Sequence, residues 1–129
     1  MVILYVDDDA EDIEIFVEAV KETDSTIECI MAKNGKQAME ILRGDLVPDF
    51  IFLDINMPVI PGKAILAEIR KEEKFRNIPV VMYSTNIASH EIEAYKKMGA
   101  NHFLIKPNRF QDLCDNVSSI LRSRPDAGK

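Results

Sequence analysis

The sequence has few of the features that mark fibrous, secreted or membrane-spanning proteins. Its 129 residues include only six prolines and five glycines, too few for a linker or a fibrous chain. The longest uninterrupted apolar run covers residues 1–6, whereas a membrane-spanning helix needs about 20 apolar residues. Asp7 interrupts that run and no cleavage site follows it, so we predict no signal peptide and no membrane partner.

Cysteine and positive charge are also scarce. Cys29 and Cys114 both lie in apolar contexts, which favours reduced packing residues over a disulfide and fits a reducing cytoplasm. The 16 basic residues are outnumbered by 22 acidic ones, and the formal net charge is −6. That balance argues against a constitutive binder of nucleic acid or of anionic membranes. We therefore expect a cytoplasmic protein with no direct nucleic-acid partner.

The length and composition predict one globular domain. Typical domains have about 100–150 residues, and a chain with 47% hydrophobic and 29% charged residues can bury a core. The sequence has no repeat, no low-complexity stretch and no internal linker. We predict a single domain over residues 1–122, followed by a polar tail at residues 123–129.

Five short apolar runs alternate with five longer amphipathic ones. Most of the short runs are nearly continuous in apolar residues, as expected of parallel strands that helices cover on both faces. They lie at residues 2–6, 27–31, 50–53, 79–83 and 102–105. The second run carries Glu28, which is typical of an edge strand. Right-handed crossovers then predict an α/β fold built on a doubly wound, five-stranded parallel sheet.

The amphipathic runs carry recognisable helix ends. Asp9 is expected to cap the first helix, and Asn34 with Gln37 resembles a capping box at the start of the second. Asn108, with Gln111 three residues later, is expected to cap the fifth. The fifth helix is expected to face the core with Phe110, Leu113, Val117, Ile120 and Leu121. The first is expected to present a solvated face of Asp12, Glu14 and Glu18.

Chemically active side chains follow four of the five predicted strands. Asp7 and Asp8 follow the first strand, Asp54 the third, Ser84 the fourth and Lys106 the fifth. Ligands of doubly wound sheets bind at the carboxyl ends of the strands, near the point where strand order reverses. We therefore expect these side chains to converge on one edge of the sheet.

Such a cluster suits phosphoryl chemistry with a divalent metal. Neighbouring carboxylates raise each other's pKa unless a cation intervenes, and an oxygen-only site favours Mg²⁺ or Mn²⁺. A metal there could hold a phosphoryl donor, and Lys106 could neutralise phosphoryl oxygens. A carboxylate nucleophile would then form an acyl phosphate.

The chain resembles the receiver domain of two-component response regulators over about residues 2–122. The matching pieces are Leu-Tyr-Val-Asp-Asp, Phe-Leu-Asp-Ile-Asn-Met-Pro, Val-Met-Tyr-Ser-Thr and Phe-Leu-Ile-Lys-Pro, in the order and spacing of that family. The resemblance is to single-domain regulators of the chemotaxis type. It implies a flavodoxin-like (βα)₅ fold with strand order 2-1-3-4-5.

The resemblance also implies a role for each acidic residue. Asp54 would accept the phosphoryl group. Asp8, Asp54 and the backbone carbonyl of Asn56 would bind Mg²⁺ or Mn²⁺, and Asp7 would act through metal-bound water. Asn56 and Asn86 stand at the positions that tune the lifetime of the acyl phosphate in this family.

Further residues would read the phosphoryl group. Lys106 would pair with it, Ser84 would donate its hydroxyl to it, and Phe103 stands at the position of the family's aromatic switch. A cis peptide bond between Lys106 and Pro107 is also implied. The sequence departs from the family in three places, since tyrosine is frequent at position 103, threonine is commoner at position 84, and a polar residue usually stands where Pro61 is found.

The function implied is a phosphorylation switch rather than a turnover enzyme. A histidine kinase or phosphotransfer protein would supply the phosphoryl group. The output would be contact with an unknown protein through the surface of the fourth helix, fifth strand and fifth helix, and a homodimer is left open.

Two other interpretations remain. A haloacid-dehalogenase-like phosphatase would use Asp7 and Asp9 as its Asp-x-Asp opening, but Glu11 stands where that family has threonine or valine, and 129 residues leave no cap domain. A receiver-like adaptor that is never phosphorylated fits poorly, because all the expected acidic and basic positions are filled.

Overall fold

The computed structural model describes residues 1–123, so nearly all of the predicted tail at residues 123–129 lies outside the described residues. Strands and helices alternate along the described chain. The strands are β1 (Val2–Val6), β2 (Glu28–Ala32), β3 (Phe50–Asp54), β4 (Val80–Ser84) and β5 (His102–Ile105). The helices are α1 (Ala10–Thr23), α2 (Gly35–Arg43), α3 (Gly62–Lys71), α4 (Ser89–Lys97) and α5 (Phe110–Arg122), with a 3₁₀ turn at Glu73–Phe75 before β4.

The strands form one parallel sheet in the order β2-β1-β3-β4-β5, which confirms the predicted fold. Glu28 lies in the edge strand β2, as its charge predicted. Asp54 pairs with Tyr83, and Ser84 pairs with Ile105. The order reverses between β1 and β3, so the carboxyl ends of these two strands lie side by side and open the crevice in which such sheets bind ligands.

The sheet lies between two hydrophobic cores, because successive strand residues point to opposite faces. One core packs α1 and α5 against the sheet, and the other packs α2, α3 and α4 on the opposite face. In the first core the rings of Tyr5 and Phe16 stack with their centroids 4.0 Å apart, and both residues are fully buried. Asp7 follows the end of β1, two residues after Tyr5, and its carboxylate accepts a hydrogen bond from the Tyr5 hydroxyl.

Helix ends follow the predictions at α1, in part at α2, and not at α5. The Asp9 carboxylate accepts hydrogen bonds from the backbone N–H groups of Glu11 and Asp12, as predicted. Asn34 accepts from the N–H of Gln37, whose side chain accepts from the N–H of Lys33. In a capping box the Gln37 side chain would accept from the N–H of Asn34, but here it accepts from the residue before Asn34.

The predicted cap of α5 is wrong. The helix begins at Phe110, so Arg109 occupies the capping position and makes no side-chain capping bond. Asn108 lies one residue too early, because the free N–H groups of a first turn are reached from the residue directly before it. Phe110 is 44% exposed rather than inward, and burial on this helix begins one turn later at Leu113.

The loop between β3 and α3 closes over the end of β3. A Cβ atom added at Gly62 would overlap the carbonyl oxygen of Asp54, so no larger residue fits without moving the strand end. Val59, at the tip of the loop, is 98% exposed and has a φ of 66°. A β-branched residue rarely adopts a positive φ, and the loop is therefore strained at this point.

Cys29 and Cys114 are both free thiols, as predicted, with Cys114 buried and Cys29 half-buried. Across residues 1–123, none of the helices combines the length and the apolar character that crossing a membrane would require.

Candidate functional site

Three carboxylates meet at the carboxyl edge of the sheet. Asp7 and Asp8 directly follow β1, and Asp54 ends β3; an oxygen from each lies within 4.8 Å of the others. Asp7 is fully buried and Asp54 is 5% exposed, whereas Asp8 faces solvent. The cluster is therefore walled by protein on one side and open to water on the other.

Asp7 is held in place by donors from three directions. Its Oδ1 accepts from the backbone N–H of Asp9 at 3.0 Å, and its Oδ2 accepts from the phenol of Tyr5 and from Lys106 Nζ at 3.0 Å. Burial and the charge of Asp7 raise the pKa of the Tyr5 phenol, so the phenol remains a donor. The sequence pattern does not predict this hydrogen bond, because Tyr5 has the spacing of an ordinary buried strand residue.

Lys106 lies between three carboxylates. Its Nζ is 2.8 Å from Asp12 Oδ2, 3.0 Å from Asp7 Oδ2 and 3.8 Å from Asp54 Oδ2, and its side chain is only 12% exposed. Burial on its own would lower the pKa of Lys106, but the hydrogen bonds to Asp12 and Asp7 outweigh it and raise that pKa. The ammonium is therefore a fixed positive charge within the cluster.

The contact of Asp12 with Lys106 corrects the prediction that Asp12 belongs to a solvated helix face. Its side chain is 35% exposed and accepts from Lys106, while Glu14 and Glu18 are exposed as expected. The position of Asp12 could have predicted this contact, because the first turn of α1 begins at the same edge of the sheet where β5 ends. The helical periodicity used for the prediction carries no information about that neighbour.

The electrostatics of Asp54 favour a bound cation. Burial first, and then the charge of Asp7, raise the pKa of Asp54 from 3.8 to about 7; Lys106 and the Asn56 N–H oppose this rise. A divalent ion would offset the repulsion between the carboxylates and favour the ionised form of Asp54. Oxygen donors with one solvent-facing side are the kind of site that Mg²⁺ and Mn²⁺ prefer. The residues therefore fit the predicted metal.

Ser84, Asn56 and Asn86 form the second half of the site. The Asn56 N–H donates to Asp54 Oδ1 at 3.2 Å, and its side-chain amide donates to Ser84 Oγ at 3.0 Å. The Asn86 N–H also points to Ser84 Oγ, at 3.4 Å. Ser84 is 1% exposed. Its hydroxyl is thus linked to Asp54 through a single residue, and its own proton can still be donated.

Phe103 lies outside this cluster of polar side chains. It is half-buried, pairs with Met82 in the sheet and packs against the core formed by α2, α3 and α4. The sheet alternation places it on the face opposite Leu104, which belongs to the α1 and α5 core. The structure therefore brings together every predicted polar site residue but sets the aromatic one apart.

The prediction of a cis bond before Pro107 is wrong. Residues 1–123 contain no cis peptide bond, so the Lys106–Pro107 bond is trans. The trans isomer of an X–Pro bond is favoured by about 0.5–1 kcal/mol. With this bond trans, Lys106 already reaches Asp7 and Asp12, and its backbone N–H donates to the carbonyl of Ser84 at 2.7 Å.

The comparison with protein families agrees with this arrangement. The model of the response regulator receiver domain matches residues 3–118. The chain belongs to this family. Receiver domains are signalling switches rather than enzymes of steady turnover, and they bind a divalent metal ion. In this receiver domain Asp9 caps α1 through its Oδ1 atom, which accepts from the N–H groups of Glu11 and Asp12.

Relatives of this receiver domain include single-domain regulators. The response regulator Rcp1 of Synechocystis sp. is 31% identical over 125 residues, covering 92% of this chain and 85% of that protein. The phosphorylated cyanobacterial phytochrome response regulator RcpA gives a TM-score of 0.85 at 30% identity, covering 95% of this chain and 92% of that one. The Mn²⁺-bound form of Rcp1 gives a TM-score of 0.82 at 30% identity with the same coverage.

Proposed function

We propose that this receiver domain takes a phosphoryl group onto Asp54 from the phosphohistidine of a histidine kinase or phosphotransfer protein. The observation that carries the proposal is the position of Asp54, whose carboxylate lies within 4.8 Å of two others and 3.8 Å from the Lys106 ammonium. A lone strand-end aspartate would cap a turn. An aspartate surrounded by metal-binding oxygens and a fixed cation is placed for phosphoryl transfer.

In the transfer step, an Oδ atom of Asp54 forms a bond to phosphorus while the phosphorus–nitrogen bond of the phosphohistidine breaks. The electron pair of that bond returns to the imidazole nitrogen. The leaving group is neutral histidine when one nitrogen of its ring carries a proton. The product on Asp54 is a mixed anhydride. Lys106 Nζ supplies positive charge beside the transferred oxygens, where charge is spread in the transition state.

Asp8, Asp54 and the backbone carbonyl of Asn56 would hold the Mg²⁺ or Mn²⁺ ion, with Asp7 acting through bound water. The ion would supply charge neutralisation for the phosphoryl oxygens. The hydrogen bonds that Asp7 already accepts from Tyr5, Asp9 and Lys106 support its indirect role, since they occupy three of the roughly four lone-pair sites of its carboxylate.

Phosphorylation would change the structure through Ser84. A phosphoryl group attracts hydroxyl donors strongly, and the Ser84 hydroxyl is separated from Asp54 only by Asn56. We infer that Ser84 turns toward the phosphoryl group, that Asn56 and Asn86 adjust with it and set the lifetime of the anhydride, and that Phe103 follows. The two arrangements would exchange by a shift in population.

The output surface would be the face made by α4, β5 and α5. Two large apolar side chains are exposed there, Ile105 at 48% and Phe110 at 44%. Exposed apolar side chains of this size offer area that a protein partner could cover.

The test is labelling by a small phosphodonor in the presence of Mg²⁺, comparing the unmodified protein with Asp54→Asn. Asp45→Asn, which alters an exposed aspartate after α2, is the matched control. We expect labelling of the unmodified protein and of the control, and none of Asp54→Asn. Equal labelling of all three would reject Asp54 as the acceptor, and steady release of phosphate from a phosphomonoester would favour a phosphatase instead.

A further inference from the structure

Within residues 1–123, the contact between Asp12 and Lys106 is the shortest that Lys106 makes with a carboxylate. The distance from Nζ to Asp12 Oδ2 is 2.8 Å, whereas Asp54 Oδ2 lies 3.8 Å away and outside hydrogen-bonding range. Asp12 stands in the first turn of α1, which is fixed by the capping bonds of Asp9 to the N–H groups of Glu11 and Asp12. The carboxylate is therefore held beside Lys106 by an ordered helix end.

The ammonium of Lys106 has three N–H groups, and two of them are taken in the structure. One is directed to Asp12 and one to Asp7, and the charge lies 5.3 Å from the centre of the Tyr83 ring. These contacts hold the ammonium near α1 and the Tyr83 ring. A phosphoryl group on Asp54 would need the same ammonium.

We propose that Asp12 is a positioning residue that holds Lys106 on α1 in the unphosphorylated protein and competes with the phosphoryl group on Asp54 for it. This inference rests on the proposed function. The ion pair with Asp12 favours one position of the Lys106 ammonium, and the ion pair with the phosphoryl group favours another. A substitution that weakens the first pair therefore favours the second. Phosphorylation would accordingly release Asp12 and alter the first turn of α1.

The experiment measures the dissociation constant of beryllofluoride, a phosphoryl mimic, by calorimetry at fixed Mg²⁺. We expect Asp12→Asn to bind it about three- to tenfold more tightly, in line with the loss of one partly exposed ion pair. Asp12→Glu retains the charge and is expected to stay within about twofold of the unmodified protein. Glu11→Gln removes an exposed charge from the same turn and is expected to change nothing.

A second measurement asks whether Asp12 acts through Lys106. Thermal unfolding without ligand is compared for Asp12→Asn in the unmodified protein and in a Lys106→Met background. We expect Asp12→Asn to lower the melting temperature only where Lys106 is present. A merely structural Asp12 would lower it equally in both, and that result would overturn the proposal.

The outcomes separate this proposal from the proposed function. Unchanged or weaker beryllofluoride binding by Asp12→Asn, with normal binding by the unmodified protein, would overturn the role of Asp12 alone. If the unmodified protein bound no beryllofluoride, the proposed function and the competition that depends on it would both be rejected. The unfolding comparison would then still report whether the two side chains are coupled.

Discussion

Asp54→Asn is expected to stabilise the metal-free protein, although it removes the proposed phosphoacceptor. Burial and the charge of Asp7 raise the pKa of Asp54 from 3.8 to about 7. Keeping this group ionised in the folded protein therefore costs free energy, about 1.4 kcal/mol for each tenfold change in its proton affinity. The full rise corresponds to about 4 kcal/mol. Because an asparagine amide places N–H donors beside Lys106, we expect a smaller net gain of about 2 kcal/mol.

The pH dependence has a definite sign. The folded protein holds a proton on Asp54 more tightly than the unfolded chain does, so the unmodified protein loses stability relative to the variant as the pH rises. The loss develops between about pH 4, where the unfolded chain ionises, and about pH 7, where the folded protein does. Below this window the two proteins differ little, and above it the difference is constant.

The assay is urea unfolding at a series of pH values, first with a chelator and then with Mg²⁺, and Asp45→Asn is the control for charge. We expect the free energy of unfolding of Asp54→Asn to exceed that of the unmodified protein near neutral pH in chelator. Mg²⁺ should reduce the difference, because it binds the native site of the unmodified protein better. A less stable variant, or a difference that is the same at all pH values, would refute the electrostatic reasoning.

Three further predictions concern other parts of the molecule. Val59→Gly should raise the free energy of unfolding by about 1 kcal/mol, because Val59 has a φ of 66°; a loss of stability would show that the loop is not strained. Arg70→Met should lower it by about 2–4 kcal/mol, since the Arg70 guanidinium donates to Gly99, Phe75, Arg76, Ile78 and Asn101. Its neighbour Lys71, in an exposed pair, is the control, and Lys71→Met should cost less than about 0.5 kcal/mol. Phe103→Ala should leave labelling of Asp54 within about twofold but weaken binding to a protein partner, and a selective loss of labelling would place Phe103 in the chemistry.

The sheet and the polar edge could be predicted from the sequence because both depend on local pattern. Short apolar runs broken by acidic or polar residues define where buried strands end, and parallel strands bring those ends to one edge. The boundaries needed only small changes. β2 and β4 each begin and end one residue later than predicted, so that β4 includes Ser84, and β3 extends by one residue to include Asp54. The expectation that Asp7, Asp8, Asp54, Ser84 and Lys106 converge rests on the strand ends, whereas the roles of these residues rest on the resemblance to receiver domains.

The contacts within the site could not be predicted in the same way. Whether Asp12 meets Lys106 depends on how α1 is rotated against β5, and whether Tyr5 reaches Asp7 depends on stacking with Phe16. Both depend on packing between residues far apart in the chain. The prediction of Asn108 as a cap is wrong for a local reason. The capping motif was placed one residue before the residue that precedes α5.

Phosphorylation of Asp54 is tested most directly by locating the modified residue. The protein is incubated with a small phosphodonor and Mg²⁺, the acyl phosphate is trapped by borohydride reduction, and the reduced residue is identified by peptide mass spectrometry. We expect a single reduced position, Asp54, and no reduction when Mg²⁺ is replaced by a chelator. Reduction at Asp7 or Asp8 instead, or none with Mg²⁺ present, would contradict this expectation.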